Sequence, residues 1–197
     1  MGVIYMKILN FGSLNIDYVY SVDHFVQKGE TISSSQMNIF SGGKGLNQST
    51  ALGRAGAQVF HAGRIGKGGE FLVEQLKEAG VNTDLIVLDS QCSTGHAIIQ
   101  NDAEGDNCIL LYGGANQRIT KEQIDATLDQ FDAGDYLVLQ NETSNLPYLM
   151  EKAAEKQMKI VLNPSPMDEK IKALPLDKVT LFFVNEIEAA QILGQKE

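Results

Sequence analysis

Short runs rich in Leu, Ile, Val and Phe alternate with helical stretches along this chain, most regularly from Thr120 onward. Such runs occupy residues 8–11, 136–139, 159–162 and 181–184. Uninterrupted apolar strands separated by helices indicate a parallel sheet that is covered on both faces. The sequence therefore predicts an α/β fold with a doubly wound, mainly parallel sheet.

A second set of segments has a different pattern. Residues 18–22 and 31–40 alternate apolar and polar side chains, which is typical of strands with one solvated face. Residues 95–100 and 108–112 flank a polar stretch, 101–107, that predicts a hairpin loop. We expect these four strands to form a small antiparallel sheet beside the parallel core.

Composition limits the classes of function. The chain has 197 residues, of which 43% are hydrophobic and 21% charged, and this length is sufficient for one globular domain with a full core. The net charge is −9 and the 16 Lys and Arg residues are scattered, so binding to nucleic acid or to an anionic membrane is not expected. Because no signal peptide and no apolar run of ~20 residues is evident, we expect a cytoplasmic protein.

The turn at residues 41–48, Ser-Gly-Gly-Lys-Gly-Leu-Asn-Gln, precedes a predicted helix over residues 45–55. Glycines allow a ligand to approach the backbone closely, and the start of a helix offers free N–H groups. Lys44 and Asn47 are three positions apart and share one helix face. The turn can therefore present an ammonium and an amide to a polar ligand.

The fragment 12–17, Gly-Ser-Leu-Asn-Ile-Asp, follows the first predicted strand. Asn15 and Asp17 are two positions apart in an extended segment, so their side chains point the same way. Glu142 follows the strand at 136–139 and could add a second carboxylate. With the turn at 41–48, this set of donors and acceptors suits a small polyhydroxylated or anionic ligand.

Simpler interpretations remain open for both fragments. The fragment 12–17 could be a turn that satisfies its own backbone, and the turn 41–48 could be a plain helix entry. Nucleotide motifs of the Walker A type and of the Gly-x-Gly-x-x-Gly type are not matched. The three His residues lack the spacing of metal ligands, and Cys92 and Cys108 are expected to be reduced thiols.

The order of these motifs resembles the N-terminal part of the ribokinase-like carbohydrate and nucleoside kinases, and the similarity covers essentially all 197 residues. In that family the Asn-x-Asp turn and the Gly-Gly-Lys-Gly-x-Asn turn hold the sugar, and a glutamate contacts it. The resemblance therefore implies a set of sugar-binding residues: Asn15, Asp17, Gly43, Lys44, Asn47 and Glu142.

Two further segments support the resemblance. Residues 163–166, Asn-Pro-Ser-Pro, resemble the family's Asn-Pro-Ala-Pro segment, and residues 185–188, Asn-Glu-Ile-Glu, resemble its Asn-x-x-Glu motif. The latter implies an ATP contact for Asn185 and an indirect role for Glu188 in arranging Mg²⁺ and phosphate. A second interpretation is that Asn185 and Glu188 form the capping box of the final helix.

The resemblance also implies what this sequence lacks. The family's Gly-Ala-Gly-Asp motif, which carries the general base and an anion hole, does not occur in these 197 residues, nor do its adenine-binding loops and its site for a monovalent cation such as K⁺. Residues 132–135, Asp-Ala-Gly-Asp, precede a predicted strand and are expected to be a turn. We therefore expect residues 1–197 to form one incomplete kinase domain without a catalytic residue of its own.

The resemblance implies ATP-dependent phosphorylation of a sugar primary hydroxyl with Mg²⁺, D-ribose being the preferred substrate, by an enzyme of which this chain is an inactive N-terminal fragment. Alternatives are a non-catalytic sugar-binding module and a nucleoside or phosphosugar kinase of the same family; a phosphosugar kinase should place basic residues such as Arg64 near Lys44. The four alternating strands would form a lid over the sugar. The family's lid also pairs with its copy, so we expect a homodimer.

Overall fold

The computed structural model describes residues 6–195, which form two sheets and five α-helices. The strands are β1 (Ile8–Phe11), β2 (Asn15–Ser21), β3 (Gln36–Gly42), β4 (Val59–Lys67), β5 (Asn82–Ser93), β6 (Gly95–Asn101), β7 (Asn107–Tyr112), β8 (Tyr136–Gln140), β9 (Lys159–Asn163) and β10 (Val179–Phe182). The helices are α1 (Lys44–Arg54), α2 (Glu70–Glu78), α3 (Lys121–Leu128), α4 (Leu146–Glu155) and α5 (Glu186–Ile192). Short 3₁₀ helices occupy Gly114–Arg118, Glu169–Ala173 and Leu176–Lys178.

The larger sheet has six strands in the order β10-β9-β8-β1-β4-β5, and all of its pairings are parallel. Leu9 and Phe11 of β1 belong to a buried cluster with residues of α3 and α4. On the opposite face, Leu46 of α1 and Leu72 of α2 belong to a second cluster. Helices therefore cover both faces of the sheet, and the predicted doubly wound core is confirmed.

The smaller sheet has four strands in the order β3-β2-β6-β7. It contains the four predicted strands, but it is mixed rather than antiparallel, because its central pair β2 and β6 is parallel. Both of these strands leave the larger sheet at its carboxyl edge, β2 after β1 and β6 after β5, and so run in the same direction. The outer pairs, β2 with β3 and β6 with β7, are antiparallel as expected.

Several boundaries differ from the sequence prediction. Strand β3 starts five residues later than predicted, at Gln36, and β10 ends at Phe182 instead of 184. Strand β5 was not predicted at all, because Asp84 and Asp89 interrupt its apolar pattern. It is an edge strand that pairs within its sheet only with β4, so polar side chains are tolerated along it.

The predicted helix starts agree closely with the structure. Helix α1 begins at Lys44, one residue before the prediction. The side chain of Thr120 caps α3 by accepting a hydrogen bond from the N–H of Gln123. Among residues 6–195, no helix has the length and apolar character needed to span a membrane.

Candidate functional site

Three segments meet at the carboxyl edge of the parallel sheet. Residues 12–14 follow β1, residues 141–145 follow β8, and Gly43 connects β3 to the start of α1. Ligands of doubly wound sheets bind outside this edge, where the loops after the strands converge. The sequence-predicted polar residues of these segments therefore lie in one cleft.

Glu142 joins the three segments. Its Oε2 accepts a hydrogen bond from the backbone N–H of Lys44 at 2.9 Å and another from the Ser13 hydroxyl. The Ser13 Oγ in turn accepts from the N–H of Gly45 at 3.1 Å. The structure thus brings Glu142 and Lys44 together, and it adds Ser13, which the sequence analysis did not select.

The start of α1 lies very close to the loop after β1. Gly43 has a positive φ of 91°, which lets the chain turn from β3 into the helix. A Cβ on Gly45 would lie 2.3 Å from the backbone nitrogen of Ser13, so no larger residue fits there without displacing the backbone. These two glycines explain why the turn delivers Lys44 to the cleft.

Asp17 faces the same cleft. Its carboxylate packs over Gly42, the last residue of the neighbouring strand β3. Burial raises the pKa of Asp17 above its usual range, and the nearby Glu142 carboxylate raises it further. The two carboxylates are therefore close enough to repel each other, and hydroxyl groups that donate to both would relieve that repulsion.

Lys44 and Asn47 occupy the first turn of α1. Lys44 is partly exposed, and its backbone N–H donates to Glu142. The backbone N–H of Asn47 donates to the carbonyl of Gly43 at 3.0 Å, and its side chain is exposed. Their spacing of three residues gives both side chains the same helix face.

Asn15 is the first residue of β2 and is 3% exposed. Its Oδ1 accepts a hydrogen bond of 2.7 Å from Asn116, which lies in the 3₁₀ helix after β7. Asn15, Asn116, Gln117 and Glu142 line a hollow of about 170 Å³. Asn116 and Gln117 were missed by the sequence analysis; the only available signal was their position after a predicted strand.

A buried polar network lies beneath the first turns of α1. Asn10 Nδ2 donates to the Gly45 carbonyl at 2.8 Å and to Ser49 Oγ at 2.9 Å. Ser49 Oγ also pairs with Nδ1 of His61 at 2.7 Å. Complete burial lowers the pKa of His61 to about 4, so the imidazole is neutral at physiological pH.

Arg64, the basic residue considered for a phosphosugar ligand, is hydrogen-bonded to two other side chains. Its Nη1 donates to Asp89 at 3.1 Å, and its Nε donates to Gln123 at 3.1 Å. Arg118 contacts the same oxygen of Asp89 at 2.9 Å. The guanidinium of Arg64 is therefore engaged in a partly buried ion pair with Asp89.

Asn185 and Glu188 form the capping box of α5. The N–H of Glu188 donates to Asn185 Oδ1 at 2.8 Å, and the N–H of Asn185 donates to Glu188 Oε2 at 3.1 Å. Asn185 is exposed and Glu188 is half-buried. The structural interpretation of this motif is confirmed, and one oxygen of Glu188 remains for other contacts.

The arrangement of donor residues bears on metal ligation. Across residues 6–195, no group of three or more His, Cys, Asp or Glu side chains could hold a metal ion. Mg²⁺ prefers several oxygen ligands, and Glu188 offers a single uncommitted oxygen. The described residues therefore do not form a magnesium site by themselves.

The segment 132–135 lies at the other end of the sheet. Asp135 accepts hydrogen bonds from the N–H of Lys7 at 2.9 Å and from the N–H of Asp132 at 3.0 Å. These contacts lie at the amino end of β8, away from the cleft. The prediction of a turn into a strand is confirmed.

Comparison with known proteins shows the family of this chain. The sequence profile described as "pfkB family carbohydrate kinase" matches residues 6–197. The chain belongs to the pfkB family of carbohydrate kinases. The resemblance inferred from the sequence motifs is thereby confirmed.

Individual relatives of this pfkB chain are ribokinases. It is 35% identical to the ribokinase of Staphylococcus aureus (strain COL), over 96% of this chain and 64% of the relative. It is 33% identical to the ribokinase of Bacillus subtilis (strain 168), over 91% of this chain and 62% of the relative. The chain thus spans a little under two thirds of the length of these relatives.

A solved structure gives the same result. The crystal structure of ribokinase from Cryptococcus neoformans var. grubii serotype A in complex with ADP matches with a TM-score of 0.81 and 36% sequence identity. The match covers 98% of this chain and 63% of that one. The ribokinase-like fold predicted from the sequence is therefore confirmed.

Proposed function

We propose that this chain is the sugar-holding part of an ATP-dependent kinase that phosphorylates the primary hydroxyl of a pentose, with D-ribose preferred. The observation that carries this proposal is the convergence of Asp17, Glu142 and the first turn of α1 on one cleft. Relatives that are one third identical over almost the whole chain are named ribokinases, which supports the choice of sugar.

The proposed role of each residue follows from whether its side chain donates or accepts hydrogen bonds. Asp17 and Glu142 accept hydrogen bonds from sugar hydroxyls, whereas Asn15, Lys44 and Asn47 donate to the sugar oxygens. Gly43 allows the sugar to approach the backbone at the entry to α1. Several hydroxyls held at once fix the orientation of the remaining primary hydroxyl, which is what in-line phosphoryl transfer requires.

The nucleotide side of the proposal is supported by the ADP complex of the fungal relative. In this chain Asn185 would contact ATP, and the free oxygen of Glu188 would act indirectly on Mg²⁺. A bound Mg²⁺ neutralises phosphate charge, and the requirement for a monovalent cation such as K⁺ is part of the same proposal. Because the sequence holds no Gly-Ala-Gly-Asp motif, we propose that these 197 residues bind sugar without transferring phosphate.

The proposed assembly is a homodimer, formed in the cytoplasm through the small sheet. Ile39 and Phe40 of β3 are 51% and 53% exposed, so this sheet presents apolar side chains that a second copy could cover. The same sheet would act as the lid over the sugar, because β2 carries Asn15 and Asp17 at its cleft end.

Calorimetric titration of the chain with D-ribose tests the proposal. We expect Asp17→Asn to weaken ribose binding by about 100-fold, because two hydroxyls lose a charged acceptor. The wild-type affinity should also fall as the pH is lowered toward the raised pKa of Asp17, and this dependence should be absent in the variant. Asp23→Asn, an exposed residue in the same stretch of chain, is the matched control and should bind like wild type.

Stronger binding of fructose or adenosine than of ribose would move the proposal to another kinase of the family. Equal ribose affinity in the Asp17 and Asp23 variants would refute the sugar site. A separate assay with ATP and ribose should yield no ribose 5-phosphate from the purified chain. Product formation would overturn the proposed lack of transfer.

A further inference from the structure

Asn116 has a buried side-chain amide that hydrogen-bonds to Leu14 and Asn15 of the candidate site. It is 1% exposed and lies in the 3₁₀ helix Gly114–Arg118. Its Oδ1 accepts the backbone N–H of Leu14 at 3.0 Å. Its Nδ2 donates to the carbonyl of Leu14 at 3.3 Å and to Oδ1 of Asn15 at 2.7 Å.

Backbone chemistry decides which way both amides are turned. The N–H of Leu14 can only donate, so the atom of Asn116 that faces it must be the oxygen. The NH₂ group of Asn116 must then face Asn15, which can receive that bond only through its own oxygen. The Nδ2 of Asn15 consequently points away from Asn116. Within residues 6–195 this nitrogen has no hydrogen-bond partner. Asn15 itself lines the hollow.

The neighbouring strand leaves space for this pair of amides. Gly95, the first residue of β6, is the partner of Asn15 in the β2–β6 register. A Cβ on Gly95 would lie 2.2 Å from Nδ2 of Asn116 and 2.4 Å from Oδ1 of Asn15. Only glycine at this position permits the two amides to meet, which is independent support for their pairing.

We propose that Asn116 is a positioning residue that sets the hydrogen-bond polarity of the site by holding Asn15 with its NH₂ group toward the cleft. That the ligand is a sugar rests on the proposed function; the orientation of Asn15 does not. Asp17 and Glu142 only accept hydrogen bonds when ionised, so a hydroxyl that donates to them needs a donor for its own lone pairs. Asn15 supplies that donor only in the orientation that Asn116 imposes.

The first test needs no ligand. Hydrogen exchange of the side-chain amides, followed by NMR on ¹⁵N-labelled protein, should show slow exchange for the Asn116 NH₂ group and faster exchange for that of Asn15. The reverse order would overturn the proposal, because it would mean that Asn15 donates to Asn116. This measurement uses the unmodified chain and therefore does not depend on the folding of a variant.

The second test is Asn116→Asp. The introduced carboxylate can still accept the N–H of Leu14 but cannot donate to Asn15, so Asn15 turns over and presents its oxygen to the cleft. We expect ribose affinity to fall about tenfold or more and the Asn15 NH₂ group to become protected from exchange. Asn107→Asp, the same change at an exposed position of β7, should leave both readouts at wild-type values.

Monodeoxy analogues of ribose make the readout specific. In the wild type, removing the hydroxyl that faces Asn15 should cost affinity, and in Asn116→Asp the same removal should cost clearly less. Unchanged ribose affinity together with an exposed Asn15 NH₂ group in the variant would overturn the proposal. If the wild type binds no sugar at all, the proposed function fails while the exchange measurement still decides the role of Asn116.

Discussion

Two regions that follow strands of the parallel sheet are held together in different ways. We call residues 12–17, 41–47 and 142, to which the proposed function assigns sugar binding, the sugar loops, and Asn185 with Glu188 the α5 cap. Contacts within the sugar loops join residues 98 and 129 positions apart, whereas the bonds of the α5 cap join residues three positions apart. The sugar loops are mostly buried or half-buried, and α5 has no buried residue.

The geometry of the sugar loops depends on the whole fold, whereas that of the α5 cap does not. The sugar loops have their geometry only when β1, β8 and α1 are assembled, so a change there should affect global stability and binding together. The α5 cap needs only its own few residues, so a change there should remain local. The following changes test that contrast, in order of decreasing effect.

The largest effect is expected for Gly45→Ala. Alanine within a helix is normally favoured over glycine by ~1 kcal/mol, but here its Cβ would collide with the backbone nitrogen of Ser13. We expect a net loss of ~3 kcal/mol in the free energy of unfolding, measured by urea denaturation.

Gly56→Ala is the control for this change. Gly56 has a φ of 83° and no atom within 4 Å of a built Cβ, so only the cost of the left-handed conformation, about 1 kcal/mol, should appear. A Gly45 variant as stable as the Gly56 variant would contradict the close contact between α1 and the loop after β1.

A smaller effect is expected from the titration of His61 beneath α1. Its folded-state pKa of about 4 is below the unfolded value of 6.5, so the unfolded chain binds the proton more tightly between these values. Stability should therefore be lost as the pH falls from about 6.5 toward 4. Linkage gives a loss of about 2 kcal/mol between pH 7 and pH 4.5.

Urea denaturation at several pH values measures this loss. His61→Gln, although less stable at neutral pH, should show a clearly flatter dependence over the same range. Identical pH profiles for the wild type and the His61 variant would show that this buried neutral imidazole does not cause the loss of stability at low pH.

The smallest effect is expected for Asn185→Ala at the α5 cap. Losing a helix cap costs about 1 kcal/mol within the helix it stabilises, but α5 buries no residue and unfolds with little effect on the rest. Hydrogen exchange in α5 should accelerate, while the urea midpoint of the whole chain stays unchanged. Thr120→Ala, which removes the cap of the better buried helix α3, should instead lower the midpoint.

Local patterns sufficed to predict much of the fold and part of the site. The two-residue spacing of Asn15 and Asp17 and the three-residue spacing of Lys44 and Asn47 follow from strand and helix geometry. The apolar runs predicted a parallel sheet, and that sheet put Glu142 near the other loops through the common edge of β1 and β8.

Features that depend on distant partners could not be predicted in this way. The role of Ser13 depends on Glu142, and the role of Asn116 depends on the backbone of Leu14, and no local pattern encodes either pairing. The parallel pairing of β2 with β6 also depends on where both strands leave the larger sheet. Edge strand β5 was not predicted because a strand that pairs on one side only tolerates polar residues. These polar residues give its sequence the pattern of a loop.

The continuity of β2 has a mechanical consequence. The strand begins inside the cleft at Asn15 and ends at Ser21 in the middle of the small sheet, hydrogen-bonded on both sides. Any molecule that binds to the first residues of β2 is therefore connected directly to an inner strand of the small sheet. A tilt of the small sheet therefore displaces Asn15 and Asp17 as well, because both residues belong to one continuous run of hydrogen-bonded strand.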